Sequence, residues 1–418
     1  GGAAYMEQEC KEAVEAGALS EEFINESARR VLELVAKTKQ EKKVAVDMQA
    51  NYELARKIAE ESAVLLKNEE NLLPLAEFTD VVFVGHMAKE IRYQGSGSSH
   101  INPWKLVHVT DACPHVKFVE GCNPDGSTNE TLLSEAEEAA KEAKAVVVFA
   151  GLTDIYESEG FDRESMGMPP GHVTMIERVA AVNDRVVVVL MCGSAVEVPW
   201  INQVKAVLYA GLPGEAGGEA IINLLSGKVN PSGKMAETWP LSYEDCICKD
   251  FYGEPHKDAQ YREGIYVGYR YYETAGVKVR FPFGYGLSYT KFTYSNLQMD
   301  GNRICCEVTN VGDRSGKEIV QLYIESIKST FHRPLCELKG FEKVELAPGE
   351  SKVVAFTLDE RSFAVWADGW KIPTGDYKIC ISKNCQEPVL VKEVHIEGEK
   401  VFDAANLPNW YRTMKGVP

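Results

Sequence analysis

Four acids and an arginine crowd one short segment. Asp154, Glu157, Glu159, Asp162 and Arg163 follow directly on the apolar run 145–151. A Val-rich run of that kind reads as a buried parallel strand, and in an open parallel sheet ligands sit outside the carboxyl ends of the strands. A carboxyl buried among other carboxyls has its pKa raised and can act as a general acid near neutral pH. The same residues also fit a solvated acidic loop with an Asp162–Arg163 ion pair. Residue types alone leave both readings open.

A second loop, Gly95-Ser96-Gly97-Ser98-Ser99-His100-Ile101-Asn102-Pro103, invites comparison with a phosphate loop. It lacks the Gly-Lys-Ser/Thr ending, and His100 stands where the third glycine of GxGxxG belongs. Glycine lets backbone approach a ligand while Ser, His and Asn offer hydrogen bonds, so the segment reads either as a ligand-contacting loop or as a plain flexible turn. The glycines of 211–219 follow the run 206–210 and open a helix, which points to close packing on a sheet. No Gly-x-Ser-x-Gly elbow precedes a helix, and no histidine pairs with a His, Cys or acid at helical ligand spacing. Neither a metal nor a cofactor is expected.

These loops need a scaffold. Ser20 can cap a helix over 21–37, and a second amphipathic helix is expected from about Tyr52 to Lys67, with Leu54, Ile58, Leu65 and Leu66 on its apolar side. Short apolar runs at 81–84, 145–150, 185–192 and 206–210 then alternate with helical stretches near 130–143, 172–183 and 215–225, the pattern of a parallel sheet covered on both faces. From 240 to 290 the sequence is aromatic and glycine-rich. Beyond it, strands are expected at 304–309, 318–324, 340–346, 352–358 and 377–382, with an Ala347-Pro348-Gly349-Glu350 turn, as in an all-β sandwich. The last twenty residues, with Trp410 and Tyr411, carry no usable period.

The 418 residues carry 62 acids against 45 bases, a formal charge of −17. That surface repels phosphate backbones and anionic lipid, so neither nucleic acid nor membrane is expected as a partner; a neutral substrate meets no such penalty. No apolar run approaches the roughly 18 residues of a membrane helix. The eleven scattered cysteines form no CxxC pair and favour a reducing, cytoplasmic setting. The start at Gly1 has no signal-peptide pattern and the end at Pro418 reads as cut mid-segment, so a fragment is expected.

Eight segments, in order, resemble glycoside hydrolase family 3: 55–75, the loop GSGSSHINP, ESEGFDR at 157–163, PGEAGGEA at 213–220, NPSGKMAETWP at 230–240, REGIYVGYRYY at 262–272, FPFGYGLSYT at 281–290 and RPLCELKGFEKVELAPGE at 333–350. The resemblance implies an α/β sandwich, a mostly parallel sheet covered by helices, followed by an all-β fibronectin type III-like sandwich. Residues 1–45 are similar to the tail of a TIM-like barrel and its linker; 46–245 would be the α/β domain, 246–290 a linker, 291–396 the fibronectin-like domain and 397–418 an extension. The family's barrel nucleophile sits in a Ser-Asp-Trp type motif, and this chain has no Asp-Trp dipeptide, so the barrel is expected upstream or in trans.

By the family's E-G-x-D-R motif the general acid/base maps onto Glu159, with Glu157 as runner-up and Asp162 and Arg163 as supporting matches. The loop residues Gly95, Ser96, Gly97, Ser98, Ser99 and His100 are similar to the family loop that borders the sugar subsites. His172 stands where relatives place Gln, which puts the capping of the following helix in question. The implied function is the C-terminal half of a retaining β-glycosidase, above all a β-glucosidase acting on a small neutral glycoside or oligosaccharide, inactive as an isolated chain. The alternatives are a β-xylosidase of the same family and a non-catalytic carbohydrate- or protein-binding module.

Overall fold

A computed structural model describes residues 3–39, 45–252, 260–397 and 400–402. The chain divides into two compact units, 1–49 and 50–418. In the first, helices α1 (Ala3–Glu15) and α2 (Glu21–Thr38) follow one another. The Ser20 side chain accepts from the Glu22 N–H and caps α2, as its residue type favours. No residue of α2 is buried, and Phe23, Val31, Leu32 and Leu34 are all exposed.

Helix α3 (Met48–Ser62) ends five residues before the expected Lys67, and the chain continues as strand β1 (Val64–Asn68). Val64, Leu65 and Leu66 are consecutive and all buried, which a strand between two covered faces permits and a half-exposed helix does not. The apolar side assigned to α3 also differs. Leu54 and Ile58 are exposed, while Tyr52, Ala59 and Glu60 face inward.

Strand β1 is the antiparallel edge of a six-stranded sheet in the order β1-β6-β5-β4-β2-β3. Its other members are β2 (Val81–Val84), β3 (Lys117–Val119), β4 (Ala145–Gly151), β5 (Val186–Met191) and β6 (Ala206–Tyr209), all mutually parallel. Helices α4 (Val109–Ala112), α5 (Glu130–Glu142), α6 (Pro170–Val182) and α7 (Gly217–Leu225) complete the α/β layers. Two apolar clusters, one on each face, bury Val146, Val148 and Val188 on one side and Val147, Phe149 and Val189 on the other. Alternation along fully buried strands thus serves two cores at once. From β2 the chain steps to β3 on one side, then crosses back to β4 on the other, so the loops after β2 and β4 flank the point where the winding reverses.

The aromatic stretch that follows packs onto this domain. Strand β7 (Trp239–Pro240) pairs with β8 (Val279–Phe281), and Trp239 meets Tyr209 and Phe281 edge-on. The short α8 (Tyr269–Ala275) stacks Tyr269 on Phe283. The β-sandwich then sets a sheet β13-β10-β9 against β12-β11-β16-β17, formed by β9 (Phe292–Asp300), β10 (Arg303–Asn310), β11 (Gly316–Ser326), β12 (Cys336–Leu346), β13 (Ser351–Thr357), β16 (Gly375–Ser382) and β17 (Pro388–Ile396). Ile304, Val308, Leu322, Ile324 and Ile379 fill its core. A small sheet of β14 (Val365–Trp366), β15 (Trp370–Ile372) and β18 (Lys400–Phe402) lies between β13 and β16 in sequence apart from its last strand. Residues 403–418, with Trp410 and Tyr411, fall outside the described residues. Among those described, no helix is long and apolar enough to cross a membrane.

Candidate active site

The loop after β4 brings its acids to the carboxyl edge of the sheet, and each finds a different partner. Glu157 is held down. Its Oε2 accepts from the Gly193 N–H at 2.9 Å, its Oε1 accepts from the Ser194 hydroxyl, and Arg92 donates to its backbone carbonyl at 2.7 Å. Arg92, itself buried, also bonds Asp154. One guanidinium from the segment after β2 thus pins two points of the loop after β4. The Gly193–Ser194 pair belongs to the end of β5, so three strand ends converge on Glu157.

Glu159 is exposed and points the other way, to the glycine loop. Its Oε2 accepts from the Ser98 backbone N–H at 2.7 Å and from the Ser98 hydroxyl. The Ser98 hydroxyl, and after it the Ser98 N–H, holds this carboxyl below the usual carboxylate range, against a small opposing effect of burial. Gly97 has φ +85, and a Cβ there would lie 2.6 Å from Glu159 Cβ. Only glycine lets the two loops approach this closely.

Of the other expected residues, Ser96 is buried and Ser99 Oγ donates to the Ser96 carbonyl at 3.3 Å. Gly95 precedes them, and His100 lies with Arg92, Gln94 and Asp154 on the wall of a cavity of about 530 Å³. Asp162 and Arg163 take separate partners rather than each other. Tyr252 donates to Asp162 at 3.1 Å, and Arg163 donates to Ser194 Oγ at 2.8 Å and to the Ala195 carbonyl at 3.1 Å. The acidic loop is therefore tied to the end of β5 by Arg163 as well as by Glu157. Among the described residues no cluster of three or more His, Cys, Asp or Glu could hold a metal ion.

A family model, Glycosyl hydrolase family 3 C-terminal domain, matches residues 63–289, more than half of the chain. The chain belongs to glycosyl hydrolase family 3. A fibronectin type III-like domain model matches residues 318–385 of this family 3 chain. It is 44% identical over 408 residues to thermostable beta-glucosidase B of Acetivibrio thermocellus, covering 92% of this chain and 54% of that protein. It is 37% identical to an exo-alpha-(1->6)-L-arabinopyranosidase of Bifidobacterium breve, covering 94% and 56%. A family 3 beta-glucosidase structure from Bifidobacterium adolescentis superposes with a TM-score of 0.87 at 37% identity, over 94% of this chain and 60% of that one. The chain spans about half the length of the curated relatives it matches.

Two residues that tie these loops together escape sequence reasoning. Arg92 is a lone arginine ahead of the glycine loop, and Ser194 sits in a Cys-Gly-Ser turn. The signal that could have found them is position: each follows a Val-rich strand at the edge where ligands bind.

His172, whose expected role at the start of α6 the sequence leaves in question, does not cap that helix, whose N-cap is Pro169 without a side-chain bond. Its ring is buried, and Nδ1 lies 3.0 Å from the Gly151 carbonyl at the end of β4.

Proposed function

We propose that this chain is the C-terminal half of a retaining β-glycosidase, a β-glucosidase, in which Glu159 is the general acid/base and the nucleophile comes from a barrel outside the chain. The observation that carries the choice of Glu159 over Glu157 is the occupancy of their oxygens. Both carboxylate oxygens of Glu157 accept hydrogen bonds from the end of β5. Glu159 is exposed, and its bonds to the described residues are made through Oε2. A proton-transfer group needs an accessible oxygen within reach of the substrate. The two-carboxyl mechanism needs a second carboxylate about 5 to 5.5 Å away, on the other side of the scissile bond. The exposed apolar residues of α2 and of α3 support a partner domain that covers them.

The domain division follows the same reading: 1–45 as barrel tail and linker, 46–245 carrying the acid/base loop, 246–290 as linker, 291–396 as the fibronectin-like domain and 397–418 as an extension. All eleven cysteines are free, which supports a cytoplasmic setting. The substrate is a small neutral glycoside. A pentopyranoside is the second reading, favoured by the name of the Bifidobacterium breve relative.

The test joins this chain to the half of the Acetivibrio thermocellus enzyme that it does not span. The chain alone should show no turnover of aryl β-glucosides. In the chimera, Glu159→Ala should lower kcat/KM on cellobiose by about 10² to 10⁴, the usual worth of acid/base catalysis. It should lose far less on a dinitrophenyl glucoside, whose leaving group needs no proton, and azide should speed its turnover by attacking the covalent intermediate. Glu157→Ala should show neither signature. If the two variants exchange behaviour, the assignment is wrong. Comparing aryl β-glucoside with aryl α-L-arabinopyranoside separates the two substrate readings.

A further inference from the structure

We infer that Ser98 is a positioning residue for Glu159: its N–H and hydroxyl together grip Oε2 and leave Oε1 as the oxygen that exchanges the proton. The inference rests on the reading of Glu159 as acid/base. Two donors from one residue converge on a single oxygen, one of them at 2.7 Å from the backbone. Oε1 has no hydrogen-bond partner among the described residues. The grip is built into the backbone, because Gly97 at φ +85 brings the glycine loop against Glu159 Cβ, where any larger residue would collide.

The charged neighbours are otherwise engaged. Arg92 is bound by Asp154 and Glu157, Asp162 accepts from Tyr252, and Arg163 donates through Nη1 to Ser194 and the Ala195 carbonyl. Ser98 is therefore the group that sets both the orientation and the proton affinity of this carboxyl.

In the first step the proton on Oε1 passes to the glycosidic oxygen as the C1–O bond breaks, the bonding pair stays on that oxygen, and Glu159 becomes a carboxylate. The barrel carboxylate meanwhile forms the ester to C1. In the second step water attacks C1, its proton passes to Oε1, and the ester bond breaks back to the barrel carboxylate. Hydrogen bonds to Oε2 stabilise the carboxylate form, so the grip keeps Glu159 in the ionised state that the base step requires. It also withholds the proton from the acid step unless the negative barrel nucleophile, within a few ångströms, raises proton affinity again. Esterification removes that charge, and the Ser98 grip then sets the base.

The test reads the carboxyl directly. Glutamate labelled with 13C at the side-chain carboxyl is incorporated into this chain, the Glu159 resonance is assigned with Glu159→Gln, and its titration is compared in Ser98→Ala and Ser98→Thr. Ser98→Ala should move the Glu159 midpoint upward; Ser98→Thr, which keeps both donors, should hold it near that of the unsubstituted chain. In the chimera, Ser98→Ala should move the alkaline limb of kcat/KM on cellobiose upward and lower kcat roughly tenfold or more, as for the loss of one hydrogen bond to a charged group. Ser98→Thr should restore both. A Glu159 titration unmoved by Ser98→Ala overturns the inference. A moved titration with an unmoved pH profile and rate overturns it too, since the grip would then have no catalytic consequence. Failure of the underlying assignment looks different: the Glu159→Gln chimera would keep its activity on cellobiose.

Discussion

His172 illustrates how one side chain can set an acid limit on a domain. Burial, opposed in part by the bond to the Gly151 carbonyl, lowers its pKa from 6.5 to about 4. In the unfolded chain the ring takes a proton as pH falls through 6.5, whereas in the fold it stays neutral until about 4. The native state is therefore unpenalised above pH 6.5 and loses stability progressively between 6.5 and 4, by about 3 kcal/mol in total. His172→Gln, which keeps a donor for the carbonyl, should match the parent at pH 7 and be the more stable of the two at pH 4.5. Urea midpoints at the two pH values measure the difference. Of the proposed site, the sequence singled out Glu159 only through the resemblance of its Glu-Gly-x-Asp-Arg setting to the family motif. It could not separate Glu159 from Glu157 on physical grounds, because what immobilises Glu157 is Gly193 and Ser194, brought in by a different strand.

Among elements, the Val-rich strands of the sheet centre were readable because burial on both faces leaves a continuous apolar run. Edge elements were not. Strand β1 was absorbed into the helix before it, since its leucines continue a plausible helical period, and β3 is only three residues long. Strands β9 and β17, on the outer edges of the sandwich sheets, hold only half-buried and exposed residues, so no fully buried apolar run marks them. The glycines at the start of α7 were readable as packing, and the geometry gives that a size. A Cβ on Gly218 would lie 2.4 Å from the Val107 carbonyl oxygen, a backbone atom that cannot swing aside. Gly218→Ala should cost about 1 to 3 kcal/mol, the usual penalty for overpacking. The decisive measurement is a denaturant midpoint; an unchanged value would mean that α7 is not held against residues 107–108.

At the scale of the molecule, the α/β domain and the β-sandwich are fastened by polar contacts that exclude water. Lys234 bonds Glu318 at 2.9 Å and the Gly286 carbonyl at 2.8 Å, with both ionic side chains nearly inaccessible. Gln321 donates to Gly284, and the Cys385 N–H donates to Phe283. Around the rim, Lys317 and Lys343 both meet Glu61 in more accessible surroundings. Removing one member of a buried pair strands the other, so Lys234→Ala should cost about 3 to 5 kcal/mol, whereas Lys317→Ala should cost about 1 kcal/mol or less. Calorimetry on the intact chain should give one transition for both domains, and Lys234→Ala should lower it or split it in two. A single unshifted transition would show that the pair carries no load between them.

The placement of β1 also bears on how the protein is made. Val64 and Leu65 pair with Tyr209 and Leu208, and Leu287 bonds the Leu65 carbonyl from further along still. During synthesis the amino-terminal edge of the sheet therefore leaves the ribosome long before the strand that will cover it. Chain growth at about 5 to 20 residues per second makes that wait a matter of many seconds, with Val64, Leu65 and Leu66 exposed throughout. The domain cannot close from its beginning. Strand β1 can take its place only once β6 has emerged, and until then its apolar residues lack the cover that the finished sheet supplies.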